Sequence, residues 1–215
     1  MKTYSPIEER ANTLSHLVGC LMGAVVCGIF LIKGYESDSS LAIISLWIYL
    51  FGVVSSYLAS TLYHSCPPEN TERKGLLRKF DHAAIYWHIA GSYSPITLIA
   101  MCSGGSYVWG WVIFAFVWIC AIVGTSLSFR KMKTHSYLET ACYVLMGLSI
   151  LIAFKPFYDS AGMGVVIWVI AEGVSYITGA VLYSIRKVKF MHTIFHGFVI
   201  LGDICHMIAV WKVLQ

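Results

Sequence analysis

The sequence predicts an all-α membrane protein: a single domain over residues 1–215, built as a seven-transmembrane helix bundle with its N-terminus cytoplasmic and its C-terminus outside. Three observations carry that prediction. The chain is 58% hydrophobic and only 12% charged, whereas a soluble domain carries about 25% charged residues, and its mean hydropathy is +0.71. Seven apolar stretches are each near the roughly 20 residues a helix needs to cross the bilayer core. Lysine and arginine are spread unevenly over the segments between them.

The stretches are 14–33, 41–65, 82–101, 106–128, 137–154, 161–184 and 192–212. The breaks read "KGYESDSS", "CPPENTERKGLLRKF", "CSGGS", "FRKMKTHS", "KPFYDSAG" and "SIRKVKFM". In lipid every backbone polar group must be satisfied within the protein, so only helices and closed barrels span. Period-two alternation is absent, which excludes a barrel reading. With the N-terminus inside, the inner set is Lys2, Arg10, Arg73, Lys74, Arg78, Lys79, Arg130, Lys131, Lys133, Arg186, Lys187 and Lys189. The outer set is Lys33, Lys155 and Lys212, so the bias is 12 to 3 and fixes the orientation.

Composition also excludes function classes. A net charge of +4 is too small, and too confined to short loops, for nucleic-acid binding. The seven cysteines form no Cys-x-x-Cys pair, so neither a disulfide framework nor a thiolate zinc site is expected. The polar opening "MKTYSPIEERANTLSH" has no secretory signal character.

The informative residues are the polar ones inside apolar stretches. Ser56, Ser60 and His64 lie four apart near the inner end of the second span, on one face. Asp81 stands at the inner boundary of the third span, His192 and His196 at the inner start of the seventh, and Glu9, Asn12 and His16 at the same level of the first. Four helices therefore bring polar residues to one membrane depth. Three neutral imidazoles at one depth suit a zinc ion, which takes nitrogen ligands and, in catalytic sites, keeps a fourth position for water. His64, His192 and His196 are the candidate ligands. Asp81 and Ser60 are candidates to orient a ligand or a water.

Plainer readings stand beside these. Asp81 reads equally as a helix N-cap, and Ser60 as a residue bonded to its own backbone. Glu9 and Asn12 read as caps of the first span, and His16 as packing against a neighbour. His88 and Asp203 lie about 10 Å deeper than the candidate site, and His206 about 21 Å from His192 along its helix. Together with Glu172 in mid-span six, these four mark either a polar path or structural pairs.

"ERANTLSHLVG", "SSYLASTLYHS", "FDHAAIYWHIAGSYSP" and "HTIFHGFVILGDICH" resemble, in that order along essentially the whole chain, the haemolysin III family, the bacterial branch of the progestin and adiponectin receptor superfamily. The resemblance implies seven helices, an inside N-terminus and zinc held near the cytoplasmic face by His64, His192 and His196, with Asp81 holding the zinc-bound water and Ser60 accompanying it. Its relation to membrane ceramidases implies zinc-dependent hydrolysis of a lipid amide, in a multi-pass protein of the cell inner membrane with a membrane lipid as substrate or ligand. The near absence of an N-terminal extension argues against hormone signalling of the adiponectin type. A non-catalytic lipid sensor with structural zinc, a cytolysin and a zinc transporter are the competing expectations; the apolar helices and absent secretion signal speak against the cytolysin.

Overall fold

Ser5 starts the first helix. Its hydroxyl accepts a hydrogen bond from the Glu8 backbone N–H, and the Glu8 carboxylate accepts one from the Ser5 N–H, a reciprocal capping box with Pro6 pre-set in the first turn. The resulting α1 spans Pro6–Glu36. The computed structural model describes residues 4–130, 137–185 and 188–215. Lys2, Lys131, Lys133, Arg186 and Lys187 of the inner basic set lie outside the described residues.

Ser39 caps α2 (Ser40–Ser65), and the Asn70 side chain caps α3 (Thr71–Ser94) by accepting from Arg73 N. Thus α3 begins well before residue 82, because the "TERK" stretch after Asn70 is made of residues a helix tolerates and is properly capped. Asp81 is therefore inside a helix and caps nothing. Pro95 has no N–H to donate, and from Pro95 to Met101 the helix continues with wider, π-type hydrogen bonding. Then α4 runs over Tyr107–Phe129.

The next stretch departs from expectation. After α5 (Tyr137–Gly147) the chain tightens to 3₁₀ geometry at Leu148–Ala153 and resumes as α6 (Phe154–Ala161). "KPFYDSA" is helical, not a break. Pro156 falls in the first turn of α6, where its missing N–H costs nothing. The actual break is Gly162 alone, whose φ of 74° is open to glycine at little cost. Beyond it lie α7 (Met163–Tyr183) and α8 (Met191–Val213).

Six helical stretches among the described residues are long and apolar enough to cross a membrane: Pro6–Glu36, Ser40–Ser65, Tyr107–Phe129, Glu139–Ala161, Met163–Tyr183 and Met191–Val213. No strand occurs among the described residues. The chain is an all-α, multi-pass membrane protein. Large apolar side chains point outward along its flanks, among them Val18, Leu21, Ile119, Ile122, Ile170 and Val174, as lipid contact requires.

Helices adjacent in sequence pack together, and α1 meets α8, so the first and last helices close on each other. One apolar core joins Phe30, Leu46, Tyr49, Val53 and Val210 of α1, α2 and α8; a second joins Tyr86, Ile113, Val117, Phe157 and Val166 of α3, α4, α6 and α7. Lipid removes the hydrophobic drive between helices, so close backbone approach matters more. One such approach is α2 on α3. A Cβ at Gly91 would lie 3.0 Å from the Gly52 Cα and 3.1 Å from the Ile48 carbonyl oxygen, and one at Gly52 would lie 2.6 Å from the Trp87 carbonyl oxygen.

These neighbours are backbone atoms and cannot swing aside. Gly52→Val is expected to cost about 1–3 kcal/mol or more through overpacking. The detergent-solubilised protein should then melt several degrees lower, while Gly28→Ala, where a Cβ meets nothing within 4 Å, leaves the melting temperature unchanged or slightly raised. Equal melting of the two variants in a thermal scan contradicts the packing account.

Candidate metal centre

The ends of α1, α2 and α8 meet beside the start of α3, and there three imidazoles converge. His64 leaves the last turn of α2, while His192 and His196, one turn apart, leave the first two turns of α8. The Nε2 atoms of His64 and His192 are 3.0 Å apart, and those of His196 and His192 are 3.1 Å apart. One nitrogen from each of the three lies within 4.8 Å of the others. His64 and His196 are only 2% and 1% exposed, so neither reaches bulk water.

The far side of two rings fixes what the near side offers. His64 Nδ1 lies 2.6 Å from Glu9 Oε2. A carboxylate there accepts, so Nδ1 carries the proton and Nε2 keeps a bare lone pair. His196 Nδ1 lies 2.9 Å from the Ser15 hydroxyl, which in turn donates to the Asn12 carbonyl oxygen at 2.9 Å. With its one proton spent on Asn12, Ser15 accepts from Nδ1–H, and His196 likewise turns a lone pair inward. Two inward lone pairs within 4.8 Å of each other, with the His192 nitrogen about 3 Å from both, are good partners for a cation. A tetrahedral ion with nitrogen ligands at 2.0–2.1 Å separates them by about 3.3 Å, close to the spacing seen. The residues fit a metal: His64, His192 and His196 could hold one ion.

The supports are themselves anchored. Lys74 is buried and donates to Glu9 Oε1 at 2.8 Å and to the Cys66 carbonyl oxygen at 2.9 Å. Thr193 donates to Asn12 Oδ1 at 2.6 Å, tying α8 to α1. The Phe190 N–H donates to Glu8 Oε1 at 3.1 Å across the same two helix starts. The Tyr4 ring lies 5.1 Å from that of His192 at 23°, and edge-on to His64 at 6.0 Å, covering the centre from the N-terminal side. Burial, and then the neighbouring Tyr183 hydroxyl, pushes the Tyr4 phenol above its ordinary pKa.

Asp81 is brought to the same place. It is half-buried on α3, within electrostatic reach of His64 and of the Ser60 side chain across the helix interface. His16 packs as expected: its ring stacks on His196 with centroids 3.4 Å apart and meets Tyr57 edge-on at 5.0 Å.

Two readings are corrected. Glu9 and Asn12 do not cap α1, because Ser5 and Glu8 do so; Glu9 instead grips His64 and Lys74, and Asn12 bonds Thr193. Sequence reasoning also missed Lys74, Ser15 and Tyr4. For Glu9, Asn12 and His16 a signal existed, since their i, i+3, i+7 spacing puts them on one face of α1. Lys74 carried none, being one of several cations in a polar stretch.

His88, Asp203, Glu172 and His206 stay apart from this centre and pair among themselves. His88 Nε2 is 2.9 Å from Asp203 Oδ1, and His206 Nδ1 is 2.8 Å from Glu172 Oε2.

The sequence pattern of the family described as Haemolysin-III related matches residues 4–207. The chain is 32% identical over 197 residues to Hemolysin-3 of Bacillus cereus, covering 91% of this chain and 87% of that protein. It is 32% identical over 196 residues to the Hemolysin-3 homolog of Bacillus subtilis, covering 91% and 89%. It is 27% identical over 212 residues to the human monocyte to macrophage differentiation factor, covering 96% and 84%.

If the carboxylate orients His64, Glu9→Ala weakens the affinity for a divalent ion by about 10–100-fold without abolishing it. His196→Ala removes a ligand outright and should lose stoichiometric metal. Competition against a calibrated chelator, with metal analysis of the purified variants, separates these outcomes. Unchanged affinity in Glu9→Ala would refute the orienting role.

Proposed function

The chain belongs to the haemolysin-III-related family, and on that premise we propose that it is a zinc-dependent hydrolase of the cell inner membrane acting on a lipid amide. The observation that carries this reading is the convergence of three imidazole nitrogens beside one carboxylate, at one end of a lipid-embedded bundle. The donor set is all nitrogen and suits zinc among the common divalent ions.

The proposal includes seven spans and an inside N-terminus. Helical geometry runs on without interruption from Thr71 to Met101, packed against α2 and α4, and its second half carries no Asp, Glu, Lys or Arg. Arg10, Arg73, Lys74, Arg78 and Lys79 cluster with the imidazoles at one end, as a cytoplasmic face demands.

Bound zinc supplies Lewis acidity toward a carbonyl oxygen and toward a water. The protein supplies the rest. His64, His192 and His196 hold the ion, and Glu9 and Ser15 fix two of the rings so that their Nε2 atoms face it. Asp81, beside Ser60, accepts a proton from the attacking water and returns it to the departing amine nitrogen. Tyr4 and the surrounding helices keep bulk water away, which strengthens each of these electrostatic effects.

A second reading is favoured by that same closure: a lipid sensor whose zinc mainly staples α2, α3 and α8. The two differ in turnover. For the hydrolase, Asp81→Asn lowers kcat for a long-chain N-acyl lipid in proteoliposomes by about 10²-fold or more while zinc content stays near one per chain. Undiminished turnover in Asp81→Asn removes the catalytic role. Absence of turnover in the zinc-loaded wild type, with a melting temperature that falls on chelation, establishes the staple instead.

A further inference from the structure

Beyond the metal centre, a second set of ionisable groups occupies the middle of the bundle and is not used by the proposed chemistry. Asp203 on α8 lies about 10 Å past His196 along the helix axis. It is 1% exposed and receives three partners from three helices: the hydroxyls of Tyr57 (α2) and Tyr176 (α7), and His88 Nε2 (α3) at 2.9 Å. One turn further, His206 holds Glu172 of α7 at 2.8 Å. The two pairs interleave, since Asp203 and His206 are i, i+3 on α8, and Glu172 and Tyr176 are i, i+4 on α7.

The set extends toward both ends. On one side the Tyr57 ring meets His16, a buried imidazole with neither nitrogen hydrogen-bonded, and His16 stacks on His196. On the other side the His206 ring lies 5.2 Å from that of Tyr49. The Tyr49 hydroxyl and, one turn along α2, the Ser45 hydroxyl are both fully buried and unpartnered. Titratable or hydroxylic side chains thus follow one another along the bundle axis from the metal end nearly to the opposite face.

Stability does not account for this arrangement. Buried ion pairs are commonly matched or bettered by apolar side chains of similar size, and unpartnered buried hydroxyls cost free energy. Ionisable residues inside a membrane bundle usually mark a route for ions or protons. The spacing is too tight and too fully packed for a hydrated metal ion, and no three metal-binding groups meet there among the described residues. Protons need no such space. A carboxylate–histidine pair with one proton between its two members is neutral overall and can take up or release one more.

We propose that this stripe conducts protons through the bundle, with Asp203 as the obligatory carrier. A proton entering at the Glu172–His206 pair is passed through the Tyr176 hydroxyl to Asp203, Tyr176 regaining the proton it gives up. Asp203 hands it on through His88 or through Tyr57, toward the end of the bundle that holds the metal centre. Only O–H and N–H bonds form and break, and each proton taken up at one end is matched by one released at the other.

The test uses the full chain in sealed vesicles of phosphatidylcholine and phosphatidylglycerol, which contain no amide-linked lipid, so proton movement is read independently of hydrolysis. A potassium gradient with valinomycin sets the potential, and an entrapped pH-sensitive dye reports flux. Expected are a flux well above that of protein-free vesicles, its fall to the protein-free rate in Asp203→Asn, a marked reduction in Glu172→Gln, and retention of entrapped carboxyfluorescein throughout. Wild-type flux equal to the protein-free rate overturns the proposal. So does undiminished flux in folded Asp203→Asn, or escape of carboxyfluorescein alongside the protons, which marks a general leak. Should Asp203→Asn fail to fold, Glu172→Gln decides alone: reduced flux supports the path and wild-type flux overturns it.

Discussion

The contact on which the functional end depends is the Glu9 carboxylate. One oxygen holds His64 of α2 and the other holds Lys74 of α3. A single residue of α1 therefore fixes three helix ends and the tautomer of one candidate ligand. Without Glu9, Lys74 is a buried cation facing one carbonyl oxygen, and His64 is free to turn. Two further bridges, Thr193 to Asn12 and Phe190 to Glu8, lock α8 against the same face of α1. The imidazoles meet because these polar contacts leave the helix ends little freedom to splay.

The remainder of the bundle supplies rigidity by a different route. Lipid is as apolar as the helix surfaces, so burying leucine between helices gains little there. Contact is won where backbones come close, as at Gly52 and Gly91, or where a glycine of α1 makes room for a ring of α2, as Gly19 does for Tyr57. Seating Tyr57 there lets its hydroxyl reach Asp203 while its ring edge meets His16. Small-residue packing and the polar interior are therefore one arrangement.

Much of this was legible from residue order. Long apolar runs declare their own environment, and the i, i+4 spacing of His192 and His196, set against His64 at matching depth, needs no tertiary knowledge to place three imidazoles together. Asp81 and Ser60 followed from the same depth argument. What failed were local ambiguities settled by distant partners. Glu8 and Glu9 both look like first-turn caps, and nothing nearby says that Ser5 selects Glu8 and leaves Glu9 for a histidine 55 positions away. "TERKGLLRKF" reads as a polar loop until the Asn70 cap is recognised, and "KPFYDSA" reads as a break because proline, aspartate and serine cluster there. Both are helix ends carrying polar residues, where solvent and headgroups tolerate them.

Charge balance ties the candidate chemistry to the geometry. Lys74 offsets Glu9, so the three imidazoles and Asp81 together carry one negative charge when the carboxyl is ionised. Arg78 also acts on Asp81, so the mismatch rests with the inward lone pairs of His64 and His196. A single dication would satisfy those nitrogens and add positive charge at the site, the sign that stabilises an oxygen gaining negative charge. At mid-bundle the balance is struck differently, each carboxylate matched by one histidine and no lone pairs gathered around a common point. The same residue types thus gather lone pairs fit for a metal where they converge, and form carboxylate–histidine pairs where they are strung along an axis.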